Sequence, residues 1–280
     1  MSSGSGQESP AGRKVRTVDL AQMKARGEKI VVLTCYDHLF ARLLDPEDVD
    51  VVLVGDSVGQ VILGYDSTLP VTLDEMIHHA SAVRRGVRRS LLVVDLPFLS
   101  YQVSDPEALR NAGRVLKEAG AEAVKVEGGD RTTCRRIEAM VEAGIPVMGH
   151  LGLTPQSVHR FGGYGVRGRD ASEADRLVEG ARRLEEAGCF SLVLELVPTE
   201  LAARITDEVE IPTIGIGAGA ACDGQVLVLP DMLGLNEGFQ PKFLRRFGQL
   251  GEATREAVGA FARAVREGDY PSPDESYDGG

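Results

Sequence analysis

Val51-Val52-Leu53-Val54-Gly55-Asp56-Ser57 reads as a strand that stops on chemistry. Four apolar, mostly β-branched residues run without alternation, the pattern of a parallel strand buried on both faces. A glycine, a carboxylate and a hydroxyl follow at once. In α/β enzymes the carboxyl ends of such strands are where functional side chains gather. The same grammar returns along the chain: Leu91-Leu92-Val93-Val94 ends at Asp95, Ala123-Val124-Lys125-Val126 at Glu127, and Ser191-Leu192-Val193-Leu194 at Glu195. Four strands aim four acids at one rim.

Outward from these, further strands are expected at 30–34, at 146–149 (ending on His150), at 213–217 and at 226–229. Apolar spacing predicts a short helix over 18–26, placed to cap one end of a barrel, and another over 38–44. Thr72-Leu73-Asp74-Glu75 is a capping box that opens a helix running to 85. Asp105-Pro106-Glu107 supplies an N-cap, a proline at the first helical position and an acid, and Gly120 ends that helix. Later helices are expected from 132 to Gly144, from Ser172 to Gly188, from 199 to 209 and over 252–266. The 58–71 connection is long and too apolar for disorder, which marks it as functional.

Eight strands mostly alternating with helices predict a parallel sheet. Eight units in about 240 residues match a closed (β/α)8 TIM-type barrel, an α/β fold. An open doubly wound sheet is the alternative, but Gly215-x-Gly217-x-Gly219 lacks the nucleotide-binding spacing. That glycine run is either a phosphate cradle after the seventh strand or a tight turn. The expected organisation is a disordered tail over 1–12, one catalytic domain over 13–267, and a polar acidic tail over 268–280.

The totals narrow the function. The 280 residues carry a net charge of −11 and no basic block, which argues against nucleic-acid and anionic-membrane partners. No apolar run approaches the roughly 20 residues of a membrane helix, and no charged-then-apolar N-terminal signal is present. A cytoplasmic protein is expected. Cys35, Cys134, Cys189 and Cys222 lack C-x-x-C spacing and read as reduced, buried thiols.

In such a barrel Asp56, Asp95, Lys125, Glu127, His150 and Glu195 converge at the strands' carboxyl ends. Carboxylates this close need a counter-charge, because like charges oppose one another's ionisation. A hard divalent cation such as Mg2+ is the natural partner; the absence of a His-x-x-x-His pair disfavours zinc. Plainer readings stand beside these. Asp56 or Asp95 alone could cap a helix, Lys125 could form a structural ion pair, and His150 could bond only backbone at the barrel mouth. Glu195 is harder to explain away, since an unpaired carboxylate ending an apolar strand is costly.

Here the residues carry a resemblance. Val54–Ser57 in the opening stretch, Asp66-Ser67-Thr68-Leu69-Pro70-Val71-Thr72, Asp95-Leu96-Pro97-Phe98 and Val124-Lys125-Val126-Glu127-Gly128-Gly129 resemble the ketopantoate hydroxymethyltransferase family. So do Gly149-His150-Leu151-Gly152-Leu153-Thr154-Pro155-Gln156-Ser157, Phe161-Gly162-Gly163-Tyr164, Leu194-Glu195-x-Val197-Pro198 and Ile214-Gly215-Ile216-Gly217-Ala218-Gly219. The blocks fall in order over 18–271, and several run seven residues or more.

The resemblance implies an Mg2+-dependent enzyme of pantothenate biosynthesis. It would transfer a hydroxymethyl group from 5,10-methylenetetrahydrofolate to 3-methyl-2-oxobutanoate, giving 2-dehydropantoate through a metal-stabilised enolate. Carried over by position, Asp56 and Asp95 match metal ligands, with Glu127 binding directly or through water. Ser57 and Lys125 match substrate contacts, as do Asp56 and Asp95, and Glu195 matches the proton acceptor. His150 is a possible accessory, and a homodecamer is implied. An Mg2+-dependent 2-oxo-acid lyase or mutase of the phosphoenolpyruvate mutase type shares this logic, although the Cys motif common in such lyases is missing. A non-catalytic binding barrel would need no base. Residues 162–169, with four glycines and two arginines, are expected to form a flap over the substrates. Arg167 and Arg169 are candidates for the folate's tail carboxylates.

Overall fold

The computed structural model describes residues 12–277, so all but one residue of the expected 1–12 tail, and the last three residues of the chain, lie outside the described residues. The chain divides into two compact units, one ending at Val228 and the other beginning at Leu229. In the first, β1 (Ile30–Thr34), β2 (Val51–Val54), β3 (Leu91–Asp95), β4 (Ala123–Glu127), β5 (Val147–Gly152), β6 (Ser191–Glu195), β7 (Thr213–Ile216) and β8 (Gly224–Leu227) close into a barrel in chain order. Every neighbouring pair is parallel. This is the (β/α)8 barrel that the strand count predicts. Helix α1 (Thr17–Arg26) precedes β1. The connections carry α2 (His38–Leu44), α3 (Val58–Val61), α4 (Leu73–Arg84), α5 (Asp105–Ala119), α6 (Arg131–Glu142), α7 (Val158–Phe161), α8 (Ala171–Glu186) and α9 (Thr199–Glu208).

The barrel interior explains where the acids stand. Val51, Leu53, Leu91, Val93, Ala123, Met148 and Val193 belong to one buried apolar cluster. Side chains alternate along a strand, so each inward row continues two residues further on. Leu91 and Val93 lead to Asp95, Ala123 to Lys125 and Glu127, Met148 to His150, and Val193 to Glu195. The lower layers of these rows are apolar and the uppermost is charged. At the other end, Leu20 of α1 is fully buried in the same cluster. Lys24 pins that helix: its Nζ donates to the carbonyls of Thr206, Val209 and Ile211 (2.9, 2.8 and 3.1 Å) and lies 3.2 Å from Asp223. The expected end-cap is in place.

Several boundaries differ from expectation. β5 runs on to Gly152 because β6 accompanies it that far, Gly152 standing opposite Glu195. Gly152 has φ +93°, and a Cβ there would lie 2.1 Å from the Glu195 carbonyl oxygen, so only glycine lets the two backbones approach. β8 begins two residues earlier than expected. The 58–71 connection holds one helical turn, α3. Helix starts at α5, α6 and α8 move because Ser104, Asp130 and Asp170 are the residues whose side chains accept the first free N–H groups. The Thr72–Glu75 box is as read, with Thr72 Oγ1 accepting from Glu75 N (3.2 Å) and Glu75 Oε2 from Thr72 N (2.7 Å).

The second unit contains α10 (Leu229–Met232) and α11 (Leu250–Glu267). Within it, the Phe261 and Tyr270 rings meet edge to face at 5.4 Å. Val258, Phe261 and Val265 of α11 are exposed. All four cysteines are buried and unpaired. Among the described residues no helix is long and apolar enough to cross a membrane.

Candidate active site

Asp56, Asp95, Lys125, Glu127 and His150 are buried together at the carboxyl end of the barrel, with Ser57 and Glu195 half-buried beside them. Lys125 Nζ lies 2.9 Å from Asp95 Oδ1 and 3.4 Å from His150 Nδ1. His150 Nδ1 is also 3.4 Å from Glu127 Oε1, and its Nε2 is 3.2 Å from Glu195 Oε2, off line for a hydrogen bond. Asp95 Oδ2 accepts the backbone N–H of Asp56 at 3.1 Å. Ser57 Oγ meets the Tyr36 hydroxyl at 2.8 Å. The fold brings together every residue nominated from the strand ends.

Two further residues belong to this network. Gln156, in a 3-10 turn over Pro155–Ser157, donates from Nε2 to Asp56 Oδ2 and to the Leu96 carbonyl, each at 2.9 Å. Its Oε1 accepts from the Tyr101 hydroxyl (2.9 Å) and from Gln102 Nε2 (3.0 Å). Its backbone N–H donates to Glu127 Oε2 at 3.1 Å. One neutral residue therefore fixes two of the acids, Asp56 through its side chain and Glu127 through its backbone N–H, and its buried side chain fills its own hydrogen-bonding capacity. The Tyr101 hydroxyl in turn accepts the Glu127 backbone N–H at 3.2 Å. Thr154-Pro155 flags a turn in the sequence, but nothing local says that the next side chain reaches Asp56.

The electrostatics follow from burial and crowding. Burial, then the Asp95 and Glu127 charges, hold the Asp56 carboxyl well above the usual range, against the pull of Lys125 and Gln156. Burial alone would lower Lys125, but Asp95, Glu127 and Asp56 together raise it above an ordinary lysine. Burial and Lys125 likewise press His150 down, yet Glu127 and Glu195 bring it up to about 9. Four carboxyl groups thus face two cationic side chains.

Such a surplus suits an added hard cation. Asp95 Oδ1, although buried, receives no aligned hydrogen bond and keeps a lone pair for one. The described residues hold no cage of three or more ligating side chains. Mg2+ does not require one, since it keeps several waters and binds through one or two carboxylates and substrate oxygens. The donor chemistry fits that ion. Beside it stand a buried ammonium and, in Glu195, a carboxylate that is only partly buried.

Gly55 marks how tightly this corner is built. A Cβ there would lie 2.8 Å from Ser57 Oγ and 3.4 Å from Asp95 Oδ2. Gly55→Ala is expected to cost about 1–3 kcal/mol in urea unfolding, by displacing the Ser57 hydroxyl from Tyr36. A cost below a few tenths would show that the corner yields freely.

The 162–169 segment is of two kinds. Added Cβ atoms at Gly162, Gly163 and Gly165 would meet nothing within 4 Å. The far half is anchored: Arg167 N bonds the Leu196 carbonyl (2.8 Å), Gly168 N bonds Glu173 Oε2 (2.7 Å), and Gly168 packs under Leu201 and Leu177. The Arg167 guanidinium is occupied, paired with Glu173 and stacked 4.1 Å over the Phe161 ring.

Comparison with known proteins identifies one family and a shared fold. The family described as ketopantoate hydroxymethyltransferase matches residues 14–273. The 3-methyl-2-oxobutanoate hydroxymethyltransferase of Syntrophus aciditrophicus is 55% identical over 266 residues, covering 95% of this chain and 97% of the relative. The enzyme of the same name from Salinibacter ruber is 56% identical over 264 residues, covering 94% and 99%. Among solved structures, a phosphonopyruvate hydrolase in complex with oxalate and Mg++ superposes with a TM-score of 0.57 at 14% identity, covering 93% of each chain. That likeness is one of fold.

Proposed function

This chain belongs to the ketopantoate hydroxymethyltransferase family, and from that premise we propose that it transfers a hydroxymethyl group from 5,10-methylenetetrahydrofolate to 3-methyl-2-oxobutanoate, forming 2-dehydropantoate. The observation that carries the reading is the pairing of an acid-rich, oxygen-donor cluster with a half-exposed carboxylate across one imidazole. Asp56 and Asp95, with Glu127 directly or through water, would hold Mg2+. Bound there, the ion supplies Lewis acidity to the oxo acid's carboxylate and ketone oxygens.

The chain's own groups do the rest. Lys125 places a fixed positive charge where negative charge grows on the substrate's oxygen, and Ser57 supplies a hydroxyl for the same group. Glu195 takes the C3 proton, with His150 Nε2 keeping its carboxylate in place at 3.2 Å. Gln156 holds Asp56 and Glu127 in register without adding charge. The C3 carbanion then forms a bond to the folate's methylene carbon. Both methylene–nitrogen bonds break, water supplies the hydroxyl, and the two folate nitrogens end protonated. One of those protons balances the one lost from C3 and the other comes from water. The glycine-rich 162–165 segment closes over the substrates and restricts water.

The exposed stripe Val258, Phe261 and Val265 supports a homo-oligomer, read as the decamer the resemblance implies. We place the enzyme in the cytoplasm.

Proton abstraction is testable apart from transfer. In D2O with Mg2+ and no folate, 3-methyl-2-oxobutanoate is expected to take up deuterium at C3, followed by proton NMR, and chelating the metal should stop it. Deuterium uptake only when folate is added, or no exchange at all, would sink the mechanism.

A further inference from the structure

Ser57 stands at the N-cap of α3, where a serine hydroxyl ordinarily accepts a free backbone N–H of the helix. Here the backbone is already helical (φ −53°, ψ −17°), and the side chain caps nothing. Its Oγ turns instead to the Tyr36 hydroxyl at 2.8 Å, and it has no second partner among the described residues. The corner leaves room for that rotamer only because residue 55 is glycine: a Cβ there would lie 2.8 Å from Oγ.

Tyr36 is itself held in place. It follows β1 and is buried. Cys35 N donates to the Leu53 carbonyl at 2.9 Å, which ties the end of β1 to β2. His79 of α4 donates from Nδ1 to the Tyr36 carbonyl at 2.7 Å. Asp37, next in the chain, caps α2 by accepting Phe40 N at 2.9 Å. Three elements thus fix the backbone on which the phenol stands. A hydroxyl pair joined by one hydrogen bond also has a direction. The phenol is the more acidic group and the better donor, the aliphatic hydroxyl the better acceptor. With Tyr36 donating, Ser57 keeps its own hydrogen to give away.

We infer that Tyr36 is a positioning residue, whose hydroxyl makes Ser57 a hydrogen-bond donor to the 2-oxo acid oxygen that gains negative charge. The assignment rests on the hydroxymethyl-transfer reading above, in which Ser57 serves that oxygen. A serine free to rotate presents its lone pairs as readily as its hydrogen, and lone pairs repel an enolate oxygen. Ser57 bonded to Tyr36 is a donor set in advance, with no reorientation left to make as charge develops. Tyr36 acts through Ser57 and does not itself touch the substrate.

Equilibrium binding at saturating Mg2+ tells this role from simple packing. Calorimetry compares two probes: 3-methyl-2-oxobutanoate, whose ketone oxygen is neutral, and oxalate, which puts a negative oxygen in the ketone's place. Tyr36→Phe, which keeps the ring, is expected to weaken oxalate about ten-fold, the worth of a charge-assisted hydrogen bond. It should weaken 3-methyl-2-oxobutanoate by no more than about three-fold, a neutral bond being roughly half as strong. Ser57→Ala, which leaves the buried phenol untouched, should give the same two losses. Adding Tyr36→Phe to Ser57→Ala should cost nothing further. Unchanged oxalate affinity, equal losses for both probes, or a Tyr36→Phe loss that persists without the serine hydroxyl would overturn the assignment. So would failure of the unaltered enzyme to bind either probe. Failure of C3 exchange in an enzyme that shows the expected oxalate losses would overturn the reaction alone.

Discussion

Glu195→Gln is expected to lower kcat by about 10²–10⁴-fold, the usual worth of a positioned general base, and to abolish folate-independent C3 exchange. The substitution keeps the side chain's length and an oxygen beside His150, so what it removes is the ability to take a proton. Stability should move by less than about 0.5 kcal/mol, because the carboxylate is half-exposed and leaves a neighbourhood already crowded with acids. The KM of the 2-oxo acid should hardly change, since Ser57, Lys125 and the two aspartates remain. Rapid-quench turnover and deuterium uptake measure the two halves. Exchange that survives the substitution would transfer the base role to another group, and a KM that rises as kcat falls would make Glu195 a binding residue.

How far this was legible in the chain differs from residue to residue. Asp95, Glu127 and Glu195 stand out because each ends an apolar run, and a parallel barrel sends all such ends to one rim. Which residues of a run point inward was not legible. Val51 and Val52, or Leu92 and Val93, are equally buried, because these strands are covered on both faces and show no alternation. Only the barrel's register separates Lys125 from Val124. Gln156 and Tyr101 were illegible for another reason. They reach the acids across loops, and an uncharged side chain whose partners lie 55 and 100 positions away leaves no local pattern. The end of β5 was misplaced because glycine at 149 and 152 resembles punctuation, whereas pairing with β6 carries the strand through both.

The second large effect concerns what holds the acids at all. Lys125→Met is expected to destabilise the metal-free protein by about 3–5 kcal/mol, the cost of breaking a buried ion pair from one side. The methionine fills the space, so a cavity adds little. The loss comes from leaving Asp56, Asp95 and Glu127 buried without their ammonium, the group that Asp95 Oδ1 approaches to 2.9 Å. Two additions tell this cause from mere misfit. Asp95→Asn in the Lys125→Met background should recover a large part of the loss, a coupling read from the double-mutant cycle. Saturating Mg2+ should stabilise Lys125→Met more than it stabilises the unaltered protein, because the ion then supplies the missing charge. Neither addition should restore turnover, since both leave the substrate's growing negative charge without its fixed ammonium. A loss below about 1 kcal/mol in urea unfolding, typical of an exposed pair, would mean that water already screens the cluster. An undiminished loss with Asp95→Asn would trace the damage to packing. Recovery on both counts with activity still absent would separate the two jobs of Lys125, neutralising its neighbours and serving the reaction.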